Sequence, residues 1–190
     1  MFENIKTDWA IHERRLRNGG FWVMATYHFG RWALKRRFAP WRWFLGKCYG
    51  LLKIPVEHAT GVLIERETAI GQKLHIIHAQ MINIHPECVI GDRVGIMHGV
   101  TLGINMHPGV PVIGNDVFIG CNASILGKVT IGDGARIAAN SLVIADVPAG
   151  AVAMGVPARV IPNMAGLNAK PAAKVEMSIP NSEMKSETTL

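Results

Sequence analysis

The sequence predicts a mainly β protein, a parallel β-helix preceded by a short α-helical domain. Three observations support this fold class. A branched aliphatic residue recurs at every sixth position in three stretches, which begin at Ile64, Ile84 and Ile113. A small or β-branched residue, such as Ala123 or Ser141, stands four positions after many of these aliphatics. The first 53 residues lack the repeat and hold all five tryptophans.

A period of six fits neither an amphipathic helix, which repeats every 3.6 residues, nor a half-buried strand, which repeats every two. Each six-residue unit is expected to form one short strand and a turn, and three units close a triangular coil. Coils then stack about 4.8 Å apart through parallel strand pairing, with the aliphatic side chains inside. A glycine-rich β-sandwich would instead show alternation and hairpin signals. The fourteen repeat positions are Ile64, Ile70, Ile76, Ile82, Ile84, Ile90, Ile96, Leu102, Ile113, Ile119, Ile125, Ile131, Ile137 and Val143.

Three segments are expected along the chain. Residues 1–55 form a basic, aromatic-rich helical cap, with one helix from about Phe21 to Phe38 and a second after Pro40, since proline suits the first turn of a helix. Residues 56–162 form the β-helix, and residues 54–62 link the two. Residues 163–190 are rich in Pro, Ala, Ser, Lys and Glu without a period, which predicts a mobile tail.

Charge is distributed unevenly between these segments. Residues 1–53 hold eleven Lys or Arg against three acidic residues, whereas the rest of the chain holds nine against eleven. A basic, aromatic surface could make peripheral contact with an anionic membrane. The simpler alternative is a helical cap that packs on the β-helix and on other copies of the chain. No nucleic-acid partner is expected, because no recognised binding motif accompanies the basic residues.

Cysteine usage and hydropathy point to the cytoplasm. Cys48, Cys88 and Cys121 are odd in number and scattered, which is typical of reduced thiols. The N-terminal residues show no apolar segment of a signal peptide, and no uncharged apolar run reaches the ~18 residues that a membrane span needs.

The repeat is broken twice, and each break lies near a histidine. Two extra residues shift the phase between Ile82 and Ile84, just after His78. Eleven residues instead of six separate Leu102 from Ile113, so residues 103–112 must leave the prism as a loop, with His107 at its middle. Loops on a rigid scaffold often carry chemistry. A lone histidine is more often structural, but these two lie where the core does not require them.

Several segments resemble the hexapeptide-repeat acyltransferases, and within them the serine O-acetyltransferase branch. They are Lys73-Leu-His-Ile-Ile-His-Ala-Gln80, His98-Gly-Val-Thr-Leu-Gly103 and the closing Gly-Val-Pro-Ala-Arg159. The resemblance covers residues 55–162. It implies a left-handed β-helix, an exception to right-handed crossovers. It also implies a homotrimer or a dimer of trimers with active sites between neighbouring prisms, a small-molecule acceptor and acetyl-CoA as co-substrate.

The resemblance also implies a role for each matching residue. His78 matches the catalytic histidine, which acts as general base on an acceptor hydroxyl. His107 lies near the second active-site histidine, which holds acceptor or oxyanion. Gly103, Ala123 and Ala139 match positions whose backbone lines the pantetheine slot. Arg159 matches the cation near the nucleotide phosphates. No metal is expected.

The chain departs from the serine-specific pattern at several positions. Ile77 stands where an aspartate precedes the catalytic histidine, and Leu63 stands where an acid orients it, with Glu65 as the nearest substitute. Trp9 follows Asp8 in place of proline, and Met106 replaces the arginine before the loop histidine. The acceptor could therefore be serine or a saccharide hydroxyl of a surface polysaccharide. Two other classes stay open, a zinc hydratase that uses His75, His78 and His98, and an inactive binding scaffold.

Overall fold

The computed structural model describes residues 2–12 and 17–162 of the 190-residue chain. Three helices come first: α1 (Phe2–Ile11), α2 (Gly19–Leu34) and α3 (Ala39–Thr60). Short strands follow: β1 (Leu63–Ile64), β2 (Ala69–Ile70), β3 (His75–Ile77), β4 (Asn83–Ile84), β5 (Val89–Ile90), β6 (Gly95–Met97), β7 (Thr101–Gly103), β8 (Val112–Ile113), β9 (Phe118–Ile119), β10 (Ser124–Leu126), β11 (Thr130–Ile131), β12 (Arg136–Ile137), β13 (Leu142–Val143), β14 (Val152–Met154) and β15 (Arg159–Ile161).

The strands form three sheets, and from β1 to β13 successive strands belong to successive sheets. Face A has the order β1-β4-β7-β10-β13, face B the order β2-β5-β8-β11, and face C the order β3-β6-β9-β12-β14-β15. Every pairing is parallel except that of β14 with β15. The chain therefore winds as a triangular prism of about five coils, with edges that we name A–B, B–C and C–A. The predicted fold class, a parallel β-helix with an N-terminal helical region, is confirmed.

The prism core is built from the six-residue register. Thirteen of the fourteen repeat aliphatics are buried, and Ile70 is partly buried. The small residues four positions later, including Val100, Ala123 and Ser141, are buried as well. Parallel pairing of Ile64 with Ile84 shows that Ile84, and not Ile82, continues the strand register. The two extra residues therefore lie in the corner at 78–81, which carries His78 itself.

A ladder of side chains holds the B–C edge together. Asp92 Oδ1 accepts a hydrogen bond from the backbone N of Gln72 at 2.6 Å, and Asn115 Oδ1 accepts one from Asp92 N at 2.9 Å. Asp133 Oδ1 accepts one from Asn115 N at 2.7 Å. Each short polar side chain thus pairs a backbone donor of the preceding coil that the strand ladder leaves free.

Helix α2 closes the N-terminal end of the prism. Val23, Met24 and Tyr27 are buried in the same core cluster as the first coil. The Tyr27 hydroxyl donates to Thr68 O at 2.8 Å. The buried His12 Nε2 accepts a hydrogen bond from Ile76 N at 3.3 Å. The helical region is therefore fixed to the β-helix by packing and by buried polar contacts.

The helices differ from their predicted bounds. The linker expected at 54–62 is wrong, because α3 continues to Thr60 with Pro55 inside it. Proline normally ends a helix at a cost of about 3 kcal/mol. Here Val56 packs against the core cluster and Lys53 pairs with Glu57 at 3.3 Å, which offset that cost.

Further findings concern helix α1, the end of helix α3 and the division into segments. Helix α1 lies within the segment predicted to be helical, although no separate bounds were predicted for it. Gly61 ends α3 in the left-handed conformation with φ 65°. The division at residue 55 into two domains stays a prediction, and the expected tail at 163–190 lies outside the described residues. Within the described ranges, no helix is long and apolar enough to cross a membrane.

Candidate active site

A cavity of about 610 Å³ opens between the helical region and the first two corners of the C–A edge. The N-terminal end of α2 and the C-terminal end of α3 form one wall, and the corners after β3 and β6 form the other. Its lining residues are Arg17, Asn18, Gly19, Ala59, Thr60, His78, Ala79, Gln80 and His98.

The backbone of the longer corner projects His78 into this cavity. His78 has φ 55°, a left-handed conformation that costs a non-glycine residue about 1–2 kcal/mol. Regular corners of the C–A edge also contain one left-handed residue each, such as Gly99, Asn122 and Asn140. In this corner Met81 (φ 51°) fills that regular position, because Gly99 N donates to Gln80 O at 2.9 Å, as Asn122 N donates to His98 O one coil later. The strained conformation of His78 is thus additional to the coil pattern, and such strain is typical of functional positions.

His98 is the second imidazole in the cavity. It stands on the next coil, and its ring centroid lies 6.2 Å from that of His78, with the planes at 62°. His98 Nδ1 is buried, and no hydrogen-bond partner for it is found in the part of the chain that the structure describes. A buried polar atom without a partner is costly. This atom is therefore a candidate contact for a bound molecule.

The approach of α2 to the β-helix depends on two glycines. A Cβ on Gly20 would lie 2.7 Å from Ile76 O, and a Cβ on Gly19 would lie 3.3 Å from the Ala79 Cβ. Before them, Asn18 caps the helix, since its Oδ1 accepts a hydrogen bond from Gly20 N at 3.0 Å. This tight entry into α2 holds Arg17 at the rim of the cavity that contains His78.

The structure places His107 on a different edge from His78. The loop 103–112 leaves the A–B edge after β7, whereas His78 and His98 lie on the C–A edge. His107 is exposed, and its backbone N donates to Asn105 Oδ1 at 2.8 Å. Gly103 ends β7 beside this loop. One chain therefore does not bring His107 and Gly103 into the cavity that contains His78.

The other predicted CoA contacts lie along the C–A edge or beneath it. Ala139 is exposed at the corner after β12, and Arg159 is exposed in β15, paired with Met154. Ala123 is fully buried in the prism core. Its backbone O already accepts from Thr101 N at 3.0 Å. The assignment of Ala139, Arg159 and Ala123 to a CoA slot stays a prediction. Because the Ala123 side chain is buried in the core, this residue can contribute to such a slot only through its backbone.

Glu65 does not orient His78 in this structure. Its carboxylate accepts a hydrogen bond from Lys53 Nζ at 2.6 Å, and Glu65 is absent from the cavity lining. Asp8 is also directed elsewhere, because it is buried with Oδ2 2.9 Å from His28 Nε2. No carboxylate appears among the described lining residues.

The described residues of one chain do not form a metal-binding site. Among residues 2–12 and 17–162, no three His, Cys, Asp or Glu side chains are arranged to hold a metal ion. His75, which the zinc alternative invokes, makes a ring contact with His12 at 5.4 Å.

Sequence reasoning did not predict the helical wall of the cavity. Arg17, Asn18 and Thr60 belong to no motif, and they reach His78 only because α2 and α3 pack on the first coil. The two-residue phase shift was a usable signal, since it marks the corner where these segments meet the β-helix.

Comparisons with known proteins agree with this fold. The family described as bacterial transferase hexapeptide (six repeats) matches residues 111–145. A serine acetyltransferase of Mycobacterium tuberculosis is 40% identical over 108 residues, 55% of this chain and 38% of that protein. One of Synechococcus elongatus is 31% identical over 171 residues, 83% of this chain and 67% of that protein. The crystal structure of Brucella abortus serine acetyltransferase in complex with coenzyme A superposes with a TM-score of 0.71 at 26% identity, covering 84% of this chain and 67% of that one.

The prism of six-residue coils is the architecture of the hexapeptide class that the family match over residues 111–145 describes. Because it covers 83% of this chain, the similarity to the Synechococcus protein extends beyond the coils into the helical region. The chain belongs to the serine acetyltransferase family. It spans well under two thirds of the length of some of these relatives, 38% in the Mycobacterium case.

Proposed function

We propose that the protein transfers an acetyl group from acetyl-CoA to a hydroxyl of a small acceptor, as a serine O-acetyltransferase-like enzyme. The observation that carries this proposal is the position of His78. It is exposed at the lengthened corner of the prism and lines the 610 Å³ cavity. The coenzyme A complex of the Brucella abortus relative supports acetyl-CoA as co-substrate.

The reaction needs one base and no covalent enzyme intermediate. The neutral His78 imidazole takes the proton of the acceptor hydroxyl as its oxygen attacks the thioester carbonyl. The tetrahedral intermediate then expels the CoA thiolate, which takes the proton from the imidazolium. The products are the acetyl ester and CoA thiol, so the proton and electron pairs balance. His98 lies near enough to His78 to bind the acceptor or the oxyanion.

The active site is proposed to be shared between subunits of a homotrimer or a dimer of trimers. His78 and Ala139 lie on the C–A edge, and His107 and Gly103 lie on the A–B edge. If the C–A edge of one prism faces the A–B edge of the next, the two sets come together. Arg159 then binds phosphate oxygens of CoA, a contact that suits the planar guanidinium.

Two acceptors are in question, serine and a saccharide hydroxyl. Family membership favours a serine-like acceptor. The saccharide alternative rests on the described cavity lining, which includes Arg17 but no carboxylate to pair with an amino acid's ammonium group. We assign to Arg17 the binding of an anionic group of the acceptor, in the role left open by Met106.

The protein is proposed to act in the cytoplasm. Cys48, Cys88 and Cys121 are all free in the structure, and reduced thiols are typical of that compartment. Acetyl-CoA is also a cytoplasmic metabolite, so the co-substrate and the redox state agree.

Release of CoA thiol from acetyl-CoA tests the reaction, with L-serine, simple sugars and nucleotide sugars as acceptors and with zinc content measured on the same preparation. We expect acceptor-dependent release in protein without stoichiometric zinc. Stoichiometric zinc without acceptor-dependent thiol release would identify the hydratase class. Tight acetyl-CoA binding without turnover of any acceptor would identify a scaffold.

Mixing of variants tests the shared site. We expect His78→Ala and His107→Ala each to be inactive, and activity to return when the two are co-expressed, because some interfaces then combine two intact edges. Light scattering should give three or six times the 20.7 kDa chain mass. A fully active monomer would contradict the shared site.

A further inference from the structure

Large aromatic side chains are exposed where α2 passes into α3. Phe38 is 70% exposed, Trp41 50% and Trp43 68%. We call residues 35–44 the aromatic corner. A soluble protein rarely groups such residues without a binding purpose. The cavity that contains His78 lies elsewhere, at the opposite end of α3.

The aromatic corner is also strongly basic. Residues 31–47 contain six Lys or Arg and no acidic residue. The Arg36 guanidinium lies 4.5 Å from the Trp32 ring, and Lys47 Nζ lies 5.7 Å from the Trp43 ring. Cation–π contacts of this kind hold aromatic and basic side chains together on one surface.

The fold does not use these aromatic residues in its core. Helix α3 buries Leu45 and Tyr49, which lie one turn apart on the face toward α2. Trp43 and Phe44, just before Leu45, are 68% and 50% exposed. The helix therefore has an inward apolar face that is occupied and an outward apolar surface that no other described part of the chain covers.

Charge complementarity indicates which partner binds the aromatic corner. A second copy bound through a two-fold interface would place the same basic surface against itself. The four Lys or Arg of residues 35–44 would then meet four others, without an acidic residue in 31–47 to neutralise them. An anionic lipid surface satisfies both components, because its headgroups attract the basic residues and its interfacial region accepts Trp and Phe.

We propose that the aromatic corner docks the protein on an anionic membrane surface. The docking is peripheral: Phe38, Trp41 and Trp43 enter the interfacial region, while Arg37 and Arg42 remain at the headgroups. This inference goes beyond the proposed acetyl transfer and does not depend on it, since it involves none of the residues assigned to the reaction. It would place the enzyme beside acceptors that are carried on lipids.

Flotation of the full chain with lipid vesicles tests the proposal. Vesicles of phosphatidylcholine alone are compared with vesicles that also contain phosphatidylglycerol, at low and high salt. We expect binding to the anionic vesicles only, weakened by salt. Replacing Arg37 and Arg42 with Gln should weaken binding about 25-fold, at about fivefold per charge.

Replacement of the exposed aromatics Phe38 and Trp43 with Ser should weaken binding to anionic vesicles even at low salt. Two control variants keep the corner intact. Lys128→Gln with Arg136→Gln removes two exposed charges from the β-helix, and Met106→Ser removes an exposed apolar side chain from the loop. We expect both control variants to bind like the unmodified protein.

Three results would overturn the proposal: no vesicle binding, equal binding to neutral and anionic vesicles, or equal loss of binding in the control variants. A fall in molecular mass of the Phe38 and Trp43 variant, without vesicle binding by the unmodified protein, would show that the corner is an interface between copies. Single-stranded nucleic acid bound through the same residues, in the absence of vesicle binding, would show a nucleic-acid partner instead.

Discussion

His78 and His98 face each other on neighbouring coils of one prism edge, with ring centroids 6.2 Å apart. Their sequence separation of twenty residues is the 18-residue coil plus the two extra residues of the corner at 78–81. Without those two residues, His78 would follow the ordinary corner path. The lengthened corner therefore accounts for the additional left-handed conformation of His78, and the pairing of Ile77 with Met97 places the second imidazole beside it.

The first prediction concerns His78 as the base. His78→Ala should lower kcat by about 10²–10⁴-fold while acetyl-CoA still binds, because proton transfer is lost and the CoA contacts are not. Steady-state assays and CoA titration measure the two effects. His58→Ala, which removes an exposed histidine from α3, should leave kcat unchanged. Near-normal turnover of His78→Ala would return His78 to a structural role.

A second prediction separates His98 from His78. His98→Phe retains a ring in the cavity and removes both nitrogens. If the buried Nδ1 contacts acceptor or oxyanion, kcat/KM for the acceptor should fall by about tenfold or more, the loss of roughly one hydrogen bond to a bound group. The melting temperature should change little. An unchanged kcat/KM would show that His98 only fills space.

Arg17 provides a third prediction, on acceptor binding. Arg17→Gln should raise KM for an anionic acceptor and leave KM for acetyl-CoA unchanged, because Arg17 lines the cavity that contains His78 and is not among the CoA contacts. Arg37→Gln, an exposed arginine at the α2–α3 corner, is the matched control. Equal effects of the two variants would indicate a general loss of positive charge.

A fourth prediction concerns the packing of α2 on the first coil. A Cβ on Gly20 would lie 2.7 Å from a backbone oxygen, so Gly20→Ala should lower the free energy of unfolding by about 1–3 kcal/mol. Gly50 lies in α3 with nothing within 4 Å of a Cβ. Gly50→Ala should therefore stabilise by up to about 1 kcal/mol. Thermal and denaturant unfolding would compare them, and equal effects would contradict this account of the close approach.

The last prediction concerns cysteine reactivity. Burial raises the pKa of the Cys88 thiol to about 11, because the thiolate is poorly solvated in the prism core. At pH 8 only about one Cys88 in a thousand is then ionised, and it is also inaccessible. Mass spectrometry after brief alkylation should find Cys48 and Cys121 modified before Cys88. In denaturant all three should react, and early labelling of Cys88 in the folded protein would mean that the core opens.

The β-helix was predictable because its determinants are local and periodic. The register of aliphatics fixes which side chains enter the prism, and Ile64 pairs with Ile84 as a stacked coil requires. The corner of His78 was predictable for the same reason, as a break in the period. A break shows where regular stacking stops, although it does not show what packs against that place.

Contacts between distant segments were not predictable from the sequence. Pro55 indicated a helix end, but packing of Val56 and the ion pairs of Lys53 carry α3 onward to Thr60. Glu65 was the nearest substitute for the acid that the family resemblance implies beside His78, and the structure pairs it with Lys53 instead. Each of these outcomes depends on how the helical region lies on the first coil, which no periodicity encodes.

The reversal of the chain at β15 has a consequence for association between copies of the protein. A β-helix that simply stopped would present a free strand edge, which is a template for adding another chain. Here β15 runs antiparallel beside β14, with Ala153 opposite Val160, and covers the last edge of face C. At the other end, α2 occupies the corresponding surface. The outermost described strand of face C therefore runs against the coil direction, and it does not offer the parallel register through which a further coil would stack.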